Sequence, residues 1–161
     1  MLRNLSLIIL IIILSACHTL DDDRVPFAPV RIPFSTQAMW EIYGVSGALD
    51  VKSFILSEGI PSNFPYTSLT YTGFGGVLLC CDIHGIALAY DLACPVERNR
   101  NVKVEVDVTK ASAYCPHCGS VYDIFSNQGA PIDGEAARLG YGMKRYTVNS
   151  GANGEYKVIV N

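Results

Sequence analysis

Four valines at every second position, Val102, Val104, Val106 and Val108, alternate with Lys103, Glu105 and Asp107. Successive side chains on a strand point to opposite faces, so this segment reads as a half-buried strand with one apolar and one charged face. Shorter runs make the same demand for a sheet. Val77 to Cys81 and Ile86 to Tyr90 are apolar, and Asp82-Ile83-His84-Gly85 between them reads as a hairpin connection. A turn at Thr109-Lys110 leads into Ala111–Tyr114 as a partner strand, and Val121 to Phe125 is a further strand. Tyr146 to Val148 and Tyr156 to Val160 bracket a glycine-bearing turn as a terminal hairpin.

Helical signals are sparse. Ser35 to Tyr43 fits a turn of helix or a strand, and no segment carries a sustained 3.6-residue stripe with caps. Gly73, Gly75 and Gly76 around Phe74 suggest a hairpin turn, and Pro61 to Pro65 is irregular. Many short strands with glycine and proline turns predict an all-β sandwich or barrel. The 161 residues, 17% charged and 50% apolar, suffice for one domain with a real core. A net charge of −3 gives no electrostatic footprint for nucleic acid.

The first residues are of another kind. Arg3 precedes an apolar run from Leu5 to Leu14, too short for a membrane-spanning helix of roughly 20 residues. It fits the core of a secretory signal. Leu14-Ser15-Ala16-Cys17 resembles the lipobox of bacterial lipoproteins. The resemblance implies a signal peptide over 1–16, a lipidated Cys17 holding the protein to a membrane, and a place in the cell envelope outside the cytoplasm. Asp21 to Asp23 read as a solvated linker, or as the acidic surface-export signal of Bacteroidetes lipoproteins, which they resemble. An outer-membrane location is expected, with surface exposure left open. Val25 to Pro33, with three prolines, reads as an extended tether or edge segment, so 17–33 is taken as anchor and tether and 34–161 as the domain.

Five cysteines follow Cys17, an odd number that cannot all pair within one chain. Cys80 and Cys81 end an apolar strand and read as packing residues on opposite faces. Trp40 and the nine tyrosines read as core and surface β residues, and His84 as a hairpin tip. Cys94-Pro95-Val96-Glu97 and Cys115-Pro116-His117-Cys118 each follow a strand. Two such loops facing one another would bring Cys94, Cys115 and Cys118 to one soft-metal site, with His117 or Glu97 as fourth ligand. His84 is a further candidate for that position in a zinc site. No G-x-S-x-G, no H-E-x-x-H and no phosphate-binding glycine loop supports an enzyme.

From Tyr90 onward the chain resembles a Rieske 2Fe-2S domain. The residues that carry this are Cys94 and Cys115 at the two loop cysteines, Gly119-Ser120-Val121-Tyr122-Asp123, Gly129-Ala130-Pro131, Gly134-Glu135-Ala136 and the closing Tyr146-Thr147-Val148. The ending Val158-Ile159-Val160-Asn161 is similar to that of Rieske-like lipoproteins from Bacteroidetes. The resemblance implies a Rieske-like antiparallel β-sandwich or barrel with cluster-binding loops over 90–134. It also implies a 2Fe-2S cluster, electron transfer to an unidentified redox or envelope partner, and Asp123 as a residue that fixes its loop. Both histidine ligand positions depart from the family: Val96 has no lone pair, and Cys118 would add a thiolate. In a cluster, Cys94 and Cys115 would hold one iron and Cys118 the other. Zinc on the three thiolates, and a metal-free structural or interaction module stapled by a disulfide from Cys94 to Cys115 or Cys118, stand beside the cluster.

Overall fold

The run Val77–Cys81 forms a strand in which all five residues are buried. Its side chains alternate between two separate cores. Leu78 and Cys80 belong to one, while Val77, Leu79 and Cys81 belong to the other. A strand covered on both faces reads as continuously apolar, which is why the sequence here shows no alternation. The split also places Cys80 and Cys81 on opposite faces as packing residues.

The computed structural model describes residues 20–151 and 157–161; the apolar leader and Cys17 lie outside them, as does the tip of the terminal hairpin. Among the described residues the strands are β1 (Val30–Phe34), β2 (Val51–Phe54), β3 (Tyr71–Thr72), β4 (Val77–Cys81), β5 (Ala87–Asp91) and β6 (Glu105–Asp107). They continue with β7 (Ser112–Tyr114), β8 (Val121–Asp123), β9 (Ala130–Asp133), β10 (Arg145–Ser150) and β11 (Lys157–Val160). Helix α1 spans Gln37–Tyr43 and α2 spans Gly134–Leu139. A seven-stranded sheet runs in the order β2-β4-β5-β10-β11-β1-β3, and a four-stranded sheet in the order β6-β7-β8-β9. The larger sheet nearly closes: just past β2, Leu56 donates its N–H to the Thr72 hydroxyl in β3 at 3.3 Å. The fold is all-β, a barrel-like sandwich.

The closed side of the larger sheet holds an aromatic core. Phe34, Trp40, Phe54 and Phe64 meet edge to face, with ring centroids 5.0 to 5.8 Å apart. Trp40 comes from α1, so the segment Ser35–Tyr43 resolves as a helix over Gln37–Tyr43. The Thr36 hydroxyl caps it by accepting Met39 N–H at 3.2 Å. The second core lies against the smaller sheet and includes Tyr90, Tyr122, Ile124 and Met143, together with Cys94 and Cys115.

Several expectations are corrected. The valine run is not one strand. Its first part pairs with the segment after β5, through Cys94 N–H to Val102 O at 3.0 Å and Val104 N–H to Leu92 O at 2.8 Å. Only Glu105–Asp107 joins the smaller sheet, opposite β7. Val104 is buried and Val108 is 46% exposed, because the segment passes from one partner to another along its length. Gly73–Gly76 is not a hairpin turn, since β3 and β4 lie apart in the sheet. Instead this loop is held by the fully buried Asp91 carboxylate, which accepts Phe74 N–H at 2.8 Å and Gly75 N–H at 3.0 Å.

The segment read as tether is extended, but its last residues form β1, which lies between β11 and β3 rather than at an edge. The sheet therefore begins before residue 34. Asp21–Asp23 are also docked on the body. Asp21 exchanges backbone hydrogen bonds with Gly140 and Gly142, Asp22 pairs with Arg145, and Asp23 pairs with Lys144. Finally, Gly134–Leu139, which carries no helical stripe in the sequence, is a short helix ended by Gly140 in the left-handed region.

Candidate metal centre

The partner switch in the valine run builds the site. Residues 102–104 bond to the segment carrying Cys94, and Glu105 sits opposite Tyr114, the residue before Cys115. One stretch of extended chain thus ties both cysteine loops together. Each loop then closes on itself. Arg98 N–H donates to Cys94 O at 2.9 Å in the first. In the second, Cys115 N–H donates to Ser120 O at 2.8 Å and Gly119 N–H to Cys115 O at 2.9 Å. Gly119 has φ +71°, a conformation glycine adopts without the steric cost of a Cβ.

The result is a convergence of three sulfurs. The Sγ atoms of Cys94, Cys115 and Cys118 all lie within 4.8 Å of one another, and Cys94 Sγ is 3.6 Å from Cys118 Sγ. Cys94 and Cys115 are fully buried, while Cys118 is partly exposed. Three thiolates at this spacing can hold a metal ion.

The surroundings are arranged around sulfur. Burial pushes the Cys94 thiol up to about 12, opposed by the Glu97 backbone N–H, the Tyr122 hydroxyl and the Val96 N–H directed at it. Burial also raises the Cys115 thiol, against the N–H groups of Cys118 and His117. Burial acts on Cys118 in the same direction, but the Ser120 hydroxyl and N–H and the neighbouring thiols outweigh it and bring Cys118 below its ordinary value. Hydrogen bonds to the charged form favour thiolate, the form that binds metal.

Ser120 links the site to α2. Its Oγ accepts Ala136 N–H from the first turn of α2 at 3.0 Å and lies 3.2 Å from Cys118 Sγ. Having accepted one bond, it keeps its own proton for the sulfur once Cys118 is a thiolate. Tyr122 Oη lies 3.5 Å from Cys94 Sγ. Sequence reasoning assigned Ser120 and Tyr122 only as pattern matches. Their contact with sulfur could be suspected for Ser120, two residues past Cys118, but not for Tyr122.

The two candidates for a fourth ligand are engaged with each other. His117 Nδ1 lies 2.8 Å from Glu97 Oε1, and neither residue contributes an atom to the three-sulfur group. His84 stays on the β4–β5 hairpin, its N–H donating to Asp82 Oδ1 at 2.8 Å, and is also outside the group. Asp123 accepts Phe125 N–H and Ser126 N–H, fixing its loop as expected. Val96 packs half-buried against the core that contains Cys94. Cys17, the expected lipidation site, lies outside the described residues.

Comparison with protein-family models, with curated proteins and with solved structures finds no match to the chain.

Proposed function

We propose that this is a Rieske-like metal-binding domain in which Cys94, Cys115 and Cys118 hold a single ion, with zinc as the ion the donor set fits best. The observation that carries the reading is the convergence of all three sulfurs within 4.8 Å. Tetrahedral zinc with Zn–S of about 2.3 Å spaces its sulfurs about 3.8 Å apart. The 3.6 Å between Cys94 and Cys118 is close to that spacing. In a two-iron cluster these two cysteines would serve different irons, and the bridging sulfides would hold them farther apart. The short separation therefore favours one ion over two.

Water completes the coordination, since His117 stands outside the three-sulfur group. The ion's role is a cross-link between the loops after β5 and β7. This makes the domain a binding module rather than an enzyme. The signal sequence and Cys17 pattern support a lipid-anchored place outside the cytoplasm.

The test is elemental analysis of the Cys17→Ser chain purified without oxygen. One zinc per chain, lost in Cys115→Ser, is the expected result. Visible colour with matched iron and sulfide replaces the reading with a two-iron electron carrier. A protein that takes up neither metal, with fewer than five free thiols, overturns both and leaves the disulfide-stapled module.

A further inference from the structure

The three sulfurs are not equivalent. Cys94 and Cys115 are fully buried, and Cys118 alone of the three meets solvent. It sits at the end of a loop whose next residue, Gly119, would have nothing within 4 Å of an added Cβ. Across the site its sulfur lies 3.6 Å from Cys94 Sγ, which is short of bonding but within reach of a small loop adjustment. Tight packing holds Cys94 in place: its N–H is bonded to Val102 O and its carbonyl accepts Arg98 N–H. The site thus pairs one solvent-accessible sulfur with one buried sulfur 3.6 Å away.

We propose that the metal site is redox-gated: oxidation joins Cys118 to Cys94 and expels the ion. The inference rests on the single-ion reading above. The oxidant is a hydroperoxide, or a dithiol-oxidising protein disulfide in its place. Cys118 thiolate attacks the distal peroxide oxygen, the O–O bond breaks, and an alcohol leaves with a proton from solvent. Cys118 is then a sulfenic acid. The Cys94 thiolate attacks its sulfur, and hydroxide departs as water with a second proton. Two thiolates have together given two electrons to the peroxide, and one S–S bond has formed. The ion keeps one of its three thiolates, Cys115, and is released as the divalent cation. A dithiol reverses the change by exchange, restoring both sulfurs to reduced form. Cys115, outside the 3.6 Å pair, stays reduced throughout.

The experiment uses the zinc-loaded Cys17→Ser chain, its zinc content measured first. A modest excess of hydrogen peroxide is added, zinc release is followed with a chromophoric chelator, and disulfides are mapped by tryptic mass spectrometry. Cleavage after Lys52, Arg98, Lys110 and Arg138 places Cys94, with Cys80 and Cys81, on one peptide and Cys115 and Cys118 on another, and fragmentation of the linked pair identifies the two bonded cysteines. The expected result is one zinc released per cross-linked peptide pair, with recovery of binding after dithiol treatment. The link persists in Cys115→Ser and is absent in Cys118→Ser. The Cys115→Ser chain tests the link even where it no longer holds metal. Zinc retained through oxidation, or a Cys115–Cys118 bond within one peptide, overturns the gate while leaving the metal site standing. A reduced protein that binds no zinc overturns the single-ion reading and the gate with it.

Discussion

Gly134 lies with its backbone directly against Ser120: a Cβ at Gly134 would sit 2.8 Å from Ser120 Cα and 2.9 Å from Gly119 O. The start of α2 thereby buttresses the second cysteine loop from behind. Gly134 also has φ +75°, which an L side chain adopts only with strain. Gly134→Ala is expected to destabilise the protein by roughly 1–3 kcal/mol. It should weaken zinc binding as well, because the displaced backbone is that of Gly119 and Ser120, the two residues between Cys118 and β8. Thermal melts with and without metal check this. A variant with unchanged melting and unchanged zinc affinity would refute the buttress.

The Asp91 carboxylate is a second keystone, remote from the sulfurs. Besides the two amides of the glycine loop it accepts Ala93 N–H at 2.7 Å and the Tyr146 hydroxyl at 2.5 Å. All four donors fall on one fully buried group. Asp91→Ala strands them, at roughly 1–3 kcal/mol for each buried group left without a partner. Chemical denaturation should show a loss of several kcal/mol, and many such chains will not fold at 37 °C. Tyr146→Phe removes one bond to a charged group and should cost about 1.5–3 kcal/mol.

Alkaline pH should discriminate the metal-free from the loaded protein. Burial pushes Cys80 and Cys94 up to about 12 from an ordinary 9.0. A folded value above the unfolded one means the neutral thiols stabilise the fold below pH 9.0. That contribution is lost as pH rises toward about 12. The metal-free protein is expected to melt progressively lower above about pH 9. With Cys94 already a metal-bound thiolate, the loaded protein should lose less. Across the neutral range the sign for metal is opposite: affinity rises with pH because binding releases thiol protons. Melting curves and zinc titrations across pH check both signs.

The acidic strap ahead of β1 offers a surface test. A hydrogen bond from Lys144, then its charge, holds the Asp23 carboxyl below its ordinary 3.8. A depressed value means the pairing is present above that pH and lost as pH falls through the lowered one. Lys144→Ala should raise amide exchange over residues 20–25 at neutral pH, and high salt should reproduce part of the effect by screening. Asp21 is expected to exchange last, because its backbone bonds to Gly140 and Gly142 do not depend on charge. Uniform, unchanged protection along the strap would show that the ion pairs contribute nothing.

Much of this was legible in the sequence, and unevenly so. The hairpin Val77–Asp91 and the terminal pairing of β10 with β11 follow from short apolar runs separated by turn residues. Helix α2 was not legible, since six residues make fewer than two turns and show no stripe. The valine run displayed its alternation plainly but not its change of partner.

By itself the sequence determined the strand-rich class and the two Cys-Pro turns that follow strands. It also placed three cysteines where loops of that kind present them. Those are properties of local pattern: side-chain period, turn chemistry and spacing. Only the tertiary structure decided that the three sulfurs meet, that His117 turns to Glu97, and that Ser120 and Gly134 support Cys118. Each of these depends on pairing between segments far apart in the chain. The hydrogen bonds from Val104 N–H to Leu92 O and from Cys94 N–H to Val102 O, and the ladder pairing Glu105 with Tyr114, set that pairing. No local propensity encodes which distant strand a residue will find.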